Sequence, residues 1–314
     1  MRHLFLLPAV AAAALLALAG EPRAADVRRI PQDRGIPKGN ITALLAVDGR
    51  LYAAVAEKGL YVYDIGAGTV RRYGGNDGLP SDDVRSLALY GGRVFAGTAG
   101  GIGTQDGERW LPTLQAKGFP LRNALVASSP DGKRLWACAR HLSGGIFRFD
   151  GKEWSFMGGQ GRGLFNNVSA IAFPPGAVLL GAAAGMVYEF KGEGVEPLSD
   201  GFPAANVSVL EERGGAYYLG TNRGLFVWRG KGWTRPLAPR EFVDSAVFAL
   251  LRVESDLFVA GMRGLLLLDR KGGARILSGR DGFPEGPVTA LGSDGKTVFA
   301  ATEQGVVAIK GWDE

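Results

Sequence analysis

The sequence predicts an all-β fold built from seven repeated four-stranded units closed into a ring. Three observations carry that prediction: a recurring turn phrase, a second landmark that keeps step with it, and a spare strand at the start where the last unit lacks one. The phrase reads "GGNDGLPSDDVRSLAL" at 74–89 and "SGRDGFPEGPVTAL" at 278–291. Its centre recurs at Gly35-Ile36-Pro37, Gly78-Leu79-Pro80, Gly118-Phe119-Pro120, Gly163-Leu164-Phe165, Gly201-Phe202-Pro203 and Gly282-Phe283-Pro284, and "EFV" (241–243) fills the remaining slot in degraded form. The second landmark is a glycine before an apolar pair, at Gly59, Gly101, Gly145, Gly185, Gly224, Gly264 and Gly305, with successive spacings of 42, 44, 40, 39, 40 and 41. Two markers holding one period near 40, with four short strands per unit, give a seven-bladed β-propeller.

Taken in chain order, the first element is not part of the ring. "MRHLFLLPAVAAAALLALAG" has a basic start at Arg2, an apolar run from Leu4 to Ala19, and small residues at Ala17 and Ala19. This pattern reads as a cleaved secretory signal, assigned to residues 1–24, with a single propeller domain over 25–314. The run is short for a membrane span, no stop-transfer block follows it closely, and no cysteine follows it for a lipid anchor. The mature chain is therefore expected in the periplasm, or secreted, and not membrane-spanning.

"DVRRIPQ" (26–32) comes next and matches "TVRRYGG" (69–75), the fourth strand of the first repeat. Each repeat then supplies its strands as in the fifth: "VSVLEE", "AYYLGT", "GLFVWRG" and "WTRPLA", alternating in polarity and separated by Gly-rich hairpin turns. The seventh repeat supplies "PVTALG", "TVFAA" and "GVVAIKG" and no fourth strand. The N-terminal strand is expected to complete it, closing the ring and pairing edges that would otherwise be open.

Composition narrows the function. Among 314 residues, Cys138 is the one cysteine, so no internal disulfide can form despite export. It lies in the apolar run "LWACA" and reads as a buried thiol. The net charge of +5 is spread along the chain, without the clustered basic face that nucleic acid requires. His3 leaves with the signal, so His141 is the one remaining histidine, and no set of residues has metal-ligand spacing. No cofactor is implied, and a monomer is expected.

The upper face of the ring holds the loops leading into the inner strands and the hairpins between second and third strands. Binding residues are expected there, because loops on a rigid scaffold carry function. The last position before the inner strand is Asn40, Asp83, Asn123, Asn167 and Asn206, with Ala246 and Pro287 in the other two repeats. Asn and Asp suit a turn through their side-chain bonds to nearby backbone; a polar ring around a ligand is the functional alternative. Arg122, Arg140, Arg223 and Arg263 could form a weakly basic rim for an anionic ligand or an acidic partner. His141 lies in the longer hairpin "ARHLSGG". The ligand- or partner-binding set is thus Asp82, Asp83, Arg122, Asn123, Arg140, His141, Asn167, Asn206, Arg223 and Arg263, with no residue assigned to catalysis or metal. "SSPDGKRLW" (128–136) and "GSDGKTVF" (292–299) resemble the Asp-box turns of sialidase-like propellers and fall on the lower face. The tryptophans are expected to pack between blades.

The unit "DGLPSDDVRSLALYGGRVFAGTAGGI" (77–102), with Gly220-Thr221 and Gly224-Leu225 in another copy, resembles the two-component regulator propeller repeat. The resemblance covers residues 26–312 and implies a periplasmic sensory or extracellular interaction module. This chain departs from the sensor kinases of that family in having no kinase and no second membrane segment, so it would act through another envelope or membrane protein. The expected function is a non-enzymatic binding, sensory or scaffolding module for such a partner or for a small anionic or saccharide ligand. The alternative is a propeller enzyme, a lyase or glycan hydrolase, using His141 with acids such as Asp82, Asp83 or Glu303.

Overall fold

Seven separate four-stranded antiparallel sheets make up the protein. A computed structural model describes residues 25–31, 35–114, 123–139, 145–158, 168–182, 185–191, 194–198 and 206–312; the leader region 1–24 lies outside them. Blade 1 runs through Ile41–Val47, Arg50–Val55, Gly59–Asp64 and Thr69–Tyr73, and blade 2 through Val84–Tyr90, Arg93–Thr98, Gly101–Asp106 and Arg109–Leu114. Blade 3 takes Ala124–Ser128, Leu135–Ala139, Ile146–Phe149 and Trp154–Gly158; blade 4 takes Val168–Ala172, Val178–Ala182, Val187–Lys191 and Gly194–Pro197. Blade 5 comprises Val207–Arg213, Ala216–Thr221, Gly224–Trp228 and Trp233–Thr234; blade 6 comprises Val247–Val253, Asp256–Gly261, Gly264–Leu268 and Ala274–Leu277.

Blade 7 closes as the strand count requires. Val288–Ser293, Val298–Thr302 and Gly305–Lys310 take Asp26–Arg29 as their fourth strand, in the register Asp26 opposite Lys310 through Arg29 opposite Val307. Pairing stops at Ile30, whose amide reaches the Val306 carbonyl at 2.9 Å, because Pro31 has no N–H to continue the ladder. The outer strand of blade 5 is also shorter than "WTRPLA" suggests. Pro236 interrupts it, and Arg235 instead donates to the carbonyls of Leu225 and Val243 at 3.0 and 2.7 Å. The degraded turn "EFV" is one helical turn, Arg240–Val243, with Phe242 fully buried.

Second strands are buried almost throughout, for example "LWACA" and "VLLGA", because both faces of each blade pack on a neighbour. The core is accordingly a set of clusters at the seams between blades. Trp110 packs with Tyr73 and Leu79 between blades 1 and 2, and Trp136 meets Phe190 at 5.1 Å between blades 3 and 4. These tryptophans therefore fill seams, as expected.

The inner strands line the central channel, and six of the seven slip register just after their first residue, as between Ile41 and Ala43 or Val288 and Ala290. Such a bulge re-aims one side chain. At three seams that side chain is a hydroxyl that stitches to the next blade: Thr42 donates to the Val84 carbonyl (2.8 Å), Ser169 to Val207 (2.6 Å) and Thr289 to Ile41 (2.9 Å). The buried Cys138 thiol donates to the Val168 carbonyl at 3.3 Å, so the one cysteine ties blade 3 to blade 4.

Candidate functional site

The turn phrase is first a mechanical part of the upper face. Asp77 accepts the Gly74 amide at 2.9 Å, Asp82 accepts the Gly75 amide at 2.7 Å, and Asp281 accepts the Ser278 amide at 2.9 Å. Among the described residues, the apolar residue of the phrase is a plug: Ile36, Leu79, Phe242 and Phe283 are all buried. Gly78 has φ +94, and a Cβ there would strike the Trp110 carbonyl.

The structure separates the candidate residues of that face by what they touch. Asp82 forms an ion pair with Arg72 at 2.7 Å, and Asp83 with Arg85 at 2.6 Å. Asn123 holds φ +60, a conformation that Asn tolerates better than most residues. Asn206 is exposed and donates its amide to the Asn222 side chain at 2.9 Å. Arg223 and Arg263 stand exposed on hairpins of adjacent blades. Arg122, Arg140, His141 and Asn167 lie outside the described residues. The side-chain explanation of the pre-strand Asn or Asp is corrected in part. What closes that turn is the residue's carbonyl, which accepts an amide from the facing hairpin: Ala56 to Asn40 (2.9 Å), Ala99 to Asp83 (2.9 Å), Asn222 to Asn206 (3.2 Å) and Met262 to Ala246 (2.9 Å). Since Ala246 makes the same bond, the polar side chain is not required for it.

Two large apolar side chains are also exposed on this face, Leu237 at 95% and Met262 at 50%. They belong to the loop between blades 5 and 6 and to the hairpin of blade 6, beside the stretch that presents Arg223 and Arg263.

The channel contains the feature that sequence reasoning missed. A cavity of about 880 Å³ occupies its lower half, opening between the Gly91-Gly92 hairpin, the Ser129–Gly132 turn and Glu254. Aliphatic residues including Leu45, Leu87, Leu89, Val209 and Leu251 line about half of its wall, and Glu211 from blade 5 and Arg252 from blade 6 stand among them. Their nearest charged atoms are 3.7 Å apart. Glu211 lies across from Tyr218, the place held by Leu45 across from Tyr52 and by Leu251 across from Phe258. A carboxyl thus occupies a position that is leucine in two sister blades. Burial in this wall pushes its pKa up to about 7, against the opposing pull of Arg252 and of the Glu212 amide, which donates at 3.2 Å. The Glu211 side chain keeps 25% of its surface exposed and lines the cavity. A group that exchanges its proton near neutrality, beside a fixed cation in an apolar wall, can anchor the polar end of a largely apolar ligand.

Among the described residues, no cluster of His, Cys, Asp and Glu could hold a metal, and no helix is long and apolar enough to cross a membrane. The lower-face turns are closed by Asp-Gly chemistry as expected: Asp131 accepts the Lys133 amide at 3.1 Å, and Asp294 accepts those of Lys296 and Thr297 at 2.9 and 2.7 Å.

No family model matches the chain, and no curated protein matches it in sequence. Solved structures do match. The extracellular domain assigned to a hybrid two component system of B. thetaiotaomicron aligns with TM-score 0.72 and 13% identity, over 90% of this chain and 41% of that one. Virginiamycin B lyase from Staphylococcus aureus aligns with TM-score 0.66 and 14% identity, over 91% and 99% of the two chains. YCF48 bound to D1 peptide aligns with TM-score 0.65 and 14% identity, over 94% and 96%. At these identities the likeness is one of fold, and the fold is the seven-bladed β-propeller built above.

Proposed function

We propose that this protein is a non-enzymatic β-propeller of the bacterial cell envelope, a sensory or scaffolding module that binds a ligand in its channel and a protein partner on its upper face. In this role residues 1–24 are a cleaved signal, residues 25–314 form the propeller domain, and that domain is related to two-component regulator propellers. The observation that carries it is the channel cavity, whose aliphatic residues and Glu211–Arg252 pair offer contact surface and a polar anchor. The upper face adds exposed Leu237 and Met262 near Arg223 and Arg263, a mixture suited to an acidic partner with apolar anchors. Asp82, Asp83, Arg122, Asn123, Arg140, His141, Asn167 and Asn206 complete the proposed rim. Two matching propellers suit this use, one the extracellular domain assigned to a hybrid two component system and one bound to a peptide. A third is a lyase; of the acids an enzyme would draw on here, Asp82 and Asp83 pair with Arg72 and Arg85, and Glu303 stands exposed.

The test is capture from an envelope extract of the producing bacterium by the mature protein, by Arg223→Glu/Arg263→Glu and by Leu87→Asp, each checked for fold by circular dichroism. A protein retained by the parent and lost with the arginine pair, or a small molecule lost with Leu87→Asp, supports the reading. Retention of nothing beyond bare resin, or identical retention by all three proteins, would sink it.

A further inference from the structure

We propose that the seam between blades 3 and 4, on the lower face, holds a second binding site, for a flat or aliphatic organic anion of the carboxylate class. The site is separate from the channel. It is a cavity of about 420 Å³, within the size range of small-molecule pockets.

Its floor is aromatic and comes from both blades. Trp136 of blade 3 and Phe190 of blade 4 are buried edge-to-face at 5.1 Å, with Val178 beside Phe190 in the ladder. This surface is already paid for by folding, so a ligand laid on it meets a rigid apolar wall. The charged rim has one sign in excess. Arg148 lies directly across the ladder from Trp136, on the same face of the strand pair, and is exposed. Lys133 is exposed on the neighbouring hairpin. Arg134 is fixed between the blades: it donates to the Ala177 carbonyl at 2.8 Å, and its guanidinium lies 5.1 Å from the Phe173 ring centre. Its hydrogen bonds all go to backbone carbonyls, and Asp131 in the same turn offsets only part of its charge and that of Lys133.

Against these three cations, the lining contributes one carboxylate, Asp150. That group is turned to its own loop, where it accepts the Lys152 and Glu153 amides at 2.8 and 2.9 Å; those bonds hold its pKa below the usual carboxylate range. An aromatic floor under a rim with a net positive excess matches a ligand with an apolar body and one negative end. A neutral ligand of the same shape would use the floor and leave the rim idle.

The probes are 2-naphthoate and its neutral analogue 2-naphthamide, measured by isothermal titration calorimetry at low salt. Naphthoate should bind the parent saturably, with one site, and about tenfold more tightly than naphthamide. Lys133→Glu/Arg148→Glu, both changes on exposed side chains, should weaken naphthoate by tenfold or more and leave naphthamide within about twofold. Leu87→Asp, in the channel wall, should leave naphthoate binding unchanged. Absence of saturable naphthoate binding, equal affinity for the two probes, or indifference to the charge reversals would each overturn the proposal. Loss of binding with Leu87→Asp would overturn it too, by placing the ligand in the channel. Failure here leaves the proposed channel and upper-face functions standing, because neither uses this seam.

Discussion

Replacing Glu211 with Gln should flatten the pH dependence of this protein's stability. The carboxyl starts from an ordinary 4.5 and is pushed up to about 7 by its place in the apolar channel wall. At about 1.4 kcal/mol for each tenfold change in proton affinity, that displacement is a ceiling of roughly 3 kcal/mol. The sign follows from linkage. Because the folded pKa is raised, between about 4.5 and 7 the native state keeps a proton that the unfolded chain has lost. The stability held at low pH is therefore given up as pH climbs through that window, and no more is lost above it. Urea unfolding of the parent and of Glu211→Gln, at several values from pH 4.5 to 8, isolates this group from every other titration. The variant's stability relative to the parent should rise by about 2–3 kcal/mol across the window, with unchanged m-values. Glu212→Gln keeps an oxygen to accept the Gly215 amide (2.8 Å) and removes only the charge that adds the smallest push to Glu211, so it should run close to the parent. Parallel profiles for Glu211→Gln as well would refute the claim that this carboxyl is desolvated.

Ring closure gives a second prediction. Deleting residues 26–31 removes the four-residue ladder with Gly305–Lys310 and the buried Ile30, and should lower the melting temperature by roughly 10 °C or more; an unchanged scan would refute closure. A third concerns Gly224, with φ +113 and the Val243 carbonyl where a Cβ would stand: Gly224→Val should cost about 3 kcal/mol or more in urea unfolding. Gly49→Ala, at φ +70 in open space, should cost only about 1 kcal/mol, and equal losses at the two sites would defeat the steric argument.

Legibility differed sharply between frame and site. The seven-fold period, the four strands per blade and the N-terminal strand in blade 7 could all be read, because each depends on local patterns that recur in the chain. The pairing of Asp26–Arg29 with Gly305–Lys310 joins the two ends of the described chain, yet a strand count was enough to demand it. Phe242 shows the same economy: "EFV" keeps the plug of the turn phrase after its Gly and Pro are gone. Glu211 had a signal too, a charge in a column where "ITALLA" and "VFALLR" place leucine, but its meaning depends on what faces it.

The sequence by itself determined the repeat, the turn chemistry and the closure, since these follow from backbone needs of Gly, Pro and Asp and from the alternation of apolar residues. Only the tertiary structure decided which charges are spent and which are available. Asp82 and Asp83 look alike and free in the chain, and the fold ties each to an arginine. Glu211 and Arg252 are 41 residues apart by number, and the ring sets their charged atoms 3.7 Å from each other across a seam. Trp136 and Phe190 likewise meet only because blades 3 and 4 pack face to face, leaving three cations above one carboxylate. The physical reason is common to all of them. Desolvation and pairing depend on distance in space, which a ring of blades sets by packing and the order of residues does not.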